Sequence, residues 1–131
     1  MKKYIILILI AALNFSCSDS KDGDWDDNIE ISQKEFQFDS LENTANITTE
    51  GDSWWISRVF FRDGKNFDLN DIDTASDNFS INESEFILER KNGKEISITL
   101  FENNTGVERT FTVGLQDGNY FDGITITQSA E

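Results

Sequence analysis

From Lys94 to Gln128 the chain reads KEISITLFENNTGVERTFTVGLQDGNYFDGITITQ, three runs of alternating apolar and polar residues joined by Gly- and Asn-containing turns. Ile96, Ile98 and Leu100 share one side of the first run. Phe111, Val113 and Leu115 do so in the second, and Ile124 and Ile126 in the third. A period of two marks strands with one buried face. Three in succession predict a meander, which needs a second apolar layer to cover it.

The remaining chain continues the pattern in shorter pieces. Ile29 to Ser32 and Glu35 to Phe38 read as a split first strand, and Thr44 to Thr49 alternates with Ala45 and Ile47 inward. Ser53 to Arg62 (SWWISRVFFR) is apolar on both sides. Trp54, Ile56 and Phe60 form one side, interrupted by Arg58, and Trp55, Val59 and Phe61 form the other. A strand of this kind is either central or covers something outside the core. Trp54 and Ile56 are assigned to the core with Ile98, Phe111, Val113 and Ile126. Two readings remain for the second side. The segment Asp77 to Arg90 folds over it with Phe79, Ile81, Phe86 or Leu88, or Trp55 and Phe61 form an exposed aromatic platform. Asn78–Ile81 and Phe86–Arg90 supply two further strands, with Lys91-Asn92-Gly93 as a hairpin turn. Asp63 to Ser76 is the longest irregular stretch. Outside the first residues no helix longer than a turn is expected.

Composition narrows the chemistry. The 131 residues include 25 Asp and Glu against 11 Lys and Arg, for a formal charge of −14. Such a surface repels phosphate backbones, so nucleic acid is an improbable partner. Eleven Phe and three Trp are enough to build a core in one domain. There is no His and a single Cys. Ser-His-Asp triads, Cys–His pairs, histidine-containing zinc sites and an internal disulfide are therefore ruled out. No Gly-rich phosphate loop is present and no pair of carboxylates is ordered around a cleft, so a non-catalytic protein without cofactor or metal is expected. The aspartates after Cys17 miss the EF-hand spacing. Those of Asp63–Ser76 fit no calcium loop and read as solvated.

The first residues carry an address. Lys2 and Lys3 precede ten apolar residues, Tyr4 to Leu13, too few to cross a bilayer core of about 30 Å as a helix. A signal peptide over 1–16 is expected. Cys17, directly after it, resembles the lipobox cysteine of bacterial lipoproteins, which implies lipidation and membrane attachment there. Residues 17–28 are acidic and aperiodic and read as a tether, leaving 29–131 as the domain. Acidic residues just behind the cysteine resemble the surface-export signal of Bacteroidetes lipoproteins. The implied location is the outer membrane, with outward display.

A second resemblance covers Ile29 to Ser129. The Trp-x-Ile after a Gly-Asp turn, the stretch ENNTGVERTFTV and the closing ITITQSAE resemble the BACON domain of Bacteroidetes. The matching positions are Trp54, Asn104, Arg109 and Gln128. This implies an all-β, immunoglobulin-like two-sheet antiparallel β-sandwich of seven to eight strands, and a binding module for glycan or a surface partner. Trp55 and Phe61 would then bind ligand, with polar neighbours from Asp63–Ser76. The rival reading is a structural subunit docked on a larger outer-membrane complex. Asp39-Ser40-Leu41 and Asp73-Thr74-Ala75 resemble the O-glycosylation sequon of exported Bacteroidetes proteins, at Ser40 and Thr74.

Overall fold

A computed structural model describes residues 26–131, and Cys17 lies outside the described residues. Eight strands follow in order: β1 (Glu35–Phe38), β2 (Asn43–Thr48), β3 (Trp55–Phe61), β4 (Phe79–Asn82), β5 (Phe86–Lys91), β6 (Glu95–Leu100), β7 (Arg109–Asp117) and β8 (Tyr120–Gln128). They form two four-stranded sheets, β1-β8-β7-β3 and β2-β6-β5-β4. All pairs are antiparallel except β1 with β8. This is the expected sandwich, with immunoglobulin-like strand order. Trp54, Ile56, Ile98, Phe111, Val113 and Ile126 all lie in the interior between the sheets.

The three final runs do not form a meander. β7 and β8 make a hairpin, but β6 pairs with β2 and β5 in the opposite sheet. Alternation states which side of a strand is buried and says nothing about its neighbours. The crossing between sheets is held by buried Asn103, which donates to the carbonyls of Val107 (2.8 Å) and Ser129 (3.1 Å). The family resemblance pointed to Asn104, which is exposed.

The split first strand changes sheets. Ile31 bridges Thr49 at the end of β2, whereas β1 pairs with β8. Asp27 belongs to the folded part rather than to a tether: its Oδ1 accepts the N–H groups of Ile29 (3.0 Å) and Glu30 (2.8 Å). Asp39, Asp63, Asp68 and Asp73 repeat this device, each accepting the N–H two residues on. The Asp-rich loop is thus built from Asx turns, with Phe67, Leu69 and Ile72 packed against the core. Asn92 and Gly93 both have positive φ (53° and 75°), as the β5–β6 turn requires.

One buried charge crosses the interior. Arg90, on β5, is 1% exposed, and its guanidinium carbon stands 3.5 Å from the Trp54 ring centroid. Its nitrogens donate to the carbonyls of Trp54 (2.8 Å), Asp52 (2.8 Å) and Gly93 (2.8 and 3.0 Å). Longer bonds reach Ser76 (3.2 Å) and Ala75 (3.4 Å). Burial pushes the guanidinium below its ordinary value, and the carboxylates of Asp77 and Asp52 pull it back. The indole N–H donates to Thr49 Oγ1 and the Gly51 carbonyl, both at 3.0 Å. Arg90→Met would strand several carbonyls, each worth about 1.5–3 kcal/mol in a charged hydrogen bond. It is expected to lower the unfolding free energy in urea by roughly 3 kcal/mol or more. A loss under about 1 kcal/mol would show that water replaces the guanidinium at little cost.

At the start of β8 Tyr120 donates to Asp122 Oδ2 (3.0 Å), which also accepts Lys34 Nζ (2.6 Å). Burial first, then the Asp122 hydrogen bond, raises the Tyr120 phenol above its ordinary 10.0. The Asp122 bond likewise raises Lys34. Folding therefore favours the protonated forms, so their contribution is whole below the ordinary values (10.0 for Tyr120, 10.5 for Lys34) and is lost progressively as pH rises above them toward the raised folded values. Urea titrations at about pH 8 and about pH 11 are expected to show a fall in stability, smaller in Tyr120→Phe than in wild type.

Candidate functional site

The outward side of the β1-β8-β7-β3 sheet carries the candidate site, and its composition follows from one irregularity in β3. Ile56 pairs with Leu115 and Arg58 with Gly114, so Ser57 is an extra residue in a β-bulge. Ser57 and Arg58 both face solvent, and the alternation restarts one position late. Val59 and Phe61 turn inward, 1% and 2% exposed, while Phe60 turns outward.

This separates the two residues expected to share a platform. Phe61 is a core residue, its ring 4.9 Å from Phe111 and 6.5 Å from Phe86 of the facing sheet. Phe67 packs beside it at 6.0 Å. Burying a Phe side chain contributes about 1.5–3 kcal/mol, so Phe61 stays inside. Trp55 remains outside and half-buried. The Asp77–Arg90 segment does not cover it, because β4 and β5 belong to the other sheet.

Trp55 gains a different partner. It pairs with Gln116, and Gln116 pairs with Phe121, so the three side chains form one row across β3, β7 and β8. Two strand spacings separate Trp55 from Phe121, about 10 Å. Phe121 is 65% exposed. The next row holds Gly114 and Gly123 side by side, and the one beyond holds Phe60, Thr112 and Thr125. The two glycines leave a trough between aromatic walls. Arg58 lies across it: a Cβ on Gly114 would sit 2.7 Å from Arg58 Cγ and 3.2 Å from Nε. The guanidinium carbon stands 5.3 Å from the Phe60 ring centroid. Among the described residues Arg58 makes no hydrogen bond or ion pair to another side chain. Glu35, at the β1 edge, is the one carboxylate at an outward position of these four described strands.

A second concavity is a cleft of about 430 Å³ lined by Arg62, Glu85, Thr105, Val107 and Arg109. Arg109 and Glu85 there are already engaged. Arg109 donates to Gln128 Oε1 (2.8 Å) and the Phe101 carbonyl (2.9 Å), and approaches Glu85 Oε1 at 3.9 Å. Lys65 holds the other Glu85 oxygen at 2.7 Å. Burial lowers Arg109, with Glu85 and Asp63 opposing. The donors of Arg109 tie strand ends together, and Gln128, fully buried, donates in turn to Leu41 and Phe101 carbonyls. The family-matched Arg109 and Gln128 are thus framework residues.

Ser40 and Thr74 both lie half-buried in turns, each with its carbonyl bonded to a neighbouring strand or loop (Asn103 N at 2.7 Å, Ile56 N at 3.4 Å). Among the described residues no three acidic or thiol side chains converge to hold a metal ion.

No family model matches the chain, and no curated protein does so. Solved structures share its fold. A protein from Bacteroides thetaiotaomicron, determined by NMR, matches with a TM-score of 0.61 and 22% identity, over 80% of this chain and 89% of that one. Titin M4 matches with a TM-score of 0.52 and 6% identity, over 79% and 95%. A Bacteroides ovatus GH5 xyloglucanase in complex with a XXXG heptasaccharide gives 0.49 and 22%, over 79% of this chain and 19% of that chain. At these identities the likeness is one of fold alone.

Truncation separates the inward ring from the outward one. Phe61→Ala is expected to cost about 3–5 kcal/mol of stability, as large core deletions do. Phe121→Ala is expected to change it by no more than about 0.5 kcal/mol, the usual effect at an exposed site. Denaturant titration of both variants checks the assignment of faces.

Proposed function

We propose that the protein is a non-catalytic, lipid-anchored module that binds a glycan along the outer face of the β1-β8-β7-β3 sheet. The observation that carries this reading is the in-register row of Trp55, Gln116 and Phe121 beside the Gly114–Gly123 trough. A pyranose ring presents C–H groups on its faces and hydroxyls around its rim. Aromatic side chains suit the first, and the amide and hydroxyls of Gln116, Thr112 and Thr125 suit the second. A broad sheet face with aromatic walls accommodates an extended chain better than a closed pocket does. The resemblance to BACON domains supports the same ligand class. Lipid on Cys17 would hold the module at the outer membrane, facing outward, with no nucleic acid or cofactor involved.

Wild-type protein is expected to be retarded by one or more polysaccharides in affinity gel electrophoresis. Trp55→Ala and Phe121→Ala are each expected to weaken that binding about tenfold, the equivalent of 1.4 kcal/mol for one lost stacking partner. Equal retardation of all three proteins would remove the face from consideration.

A further inference from the structure

Resting on the glycan reading of this face, we infer that the ligand is anionic and that Arg58 recognises its carboxylate or sulfate group. Three features support this. The Ser57 bulge turns Arg58 onto the sheet face, where strict alternation would have sent it into the core. Gly114, lacking a Cβ, lets the Arg58 stem lie flat over β7, and the stem buries that glycine in return. The guanidinium is thereby held beside Phe60 and over the trough, without a carboxylate partner on the described side chains.

The charge distribution points the same way. In a chain with 25 acidic residues the described outward positions of this sheet retain one, Glu35. Glu35 lies on β1, two strand spacings (about 10 Å) from the β7 position over which the Arg58 stem rests, about one Debye length at physiological salt. An anion over Gly114 thus meets the Arg58 side chain directly, with the one carboxylate at an outward strand position two strands away. Arginine offers a planar fork that matches a carboxylate or sulfate, and such charged bonds are about twice as strong as neutral ones.

The test compares polymers that differ only in charge. Full-length protein is titrated calorimetrically with polygalacturonate and with its methyl ester, and with chondroitin sulfate and unsulfated chondroitin. Wild type is expected to bind one charged polymer at least tenfold more tightly than its less charged counterpart, and which pair responds assigns carboxylate or sulfate. Arg58→Gln is expected to abolish that preference and Arg58→Lys to keep part of it. Gly114→Ala, which displaces the stem while leaving the charge, is expected to reduce it, and thermal melts of the two Arg58 variants guard against a folding artefact. Equal affinity within both pairs, unchanged by Arg58→Gln but lost in Trp55→Ala, would overturn the anionic ligand and leave glycan binding intact. Absence of wild-type binding to these four and to neutral polysaccharides would overturn both.

Discussion

The sandwich depends on a cation stacked on an indole. Trp54 comes from the entry to one sheet and Arg90 from the end of an inner strand of the other, so their contact at 3.5 Å joins the two layers. A buried guanidinium is costly unless its donors are satisfied. Here the carbonyls of Asp52, Trp54, Ser76 and Gly93 satisfy them, and three separate turns thereby acquire a common fixed point. Among the described residues no buried side-chain nitrogen or oxygen is left without a partner. A methionine of similar volume would fill the space but would release all three turns.

Much of the fold was legible because its signals are local. Alternation in Glu95–Leu100, Arg109–Asp117 and Tyr120–Gln128 depends on neighbouring residues alone, as do the Asn92-Gly93 turn and the tight turn around Gly118. Strand partnership is a long-range property, and so the place of β6 in the facing sheet was not readable. Arg90 was missed for the same reason. A charged residue after ILE in FILER reads as a strand end, and the carbonyls that surround it lie far away in sequence.

The expected pairing of Trp55 with Phe61 on one face does not hold, and the error has a definite origin. Trp55 was placed outward, as it is, but Phe61 was carried with it by assuming unbroken alternation through Ser53–Arg62. Ser57 and Arg58, two polar residues in a row between Ile56 and Val59, are the available sign of a bulge. Phe121 could also have been found. A two-residue turn at Gly118-Asn119 sets Gln116 opposite Phe121, and counting back from inward Ile124 places that ring on the outside. The role of the aspartates of Asp63–Ser76 as turn acceptors was not readable in the sequence, because it needs the backbone geometry.

The first strand has a mechanical consequence. Residues Ile29 to Ser32 are hydrogen-bonded to the end of β2 and the turn that follows it, and Glu35 to Phe38 run parallel to β8 in the opposite layer. A pull along β1 would load the β1–β8 bonds in shear, so that neighbouring pairs share the force instead of opening one by one. The same pull would have to peel Ile29 and Ile31 from the other layer. A segment stitched into both sheets thus cannot be drawn out without loosening both layers.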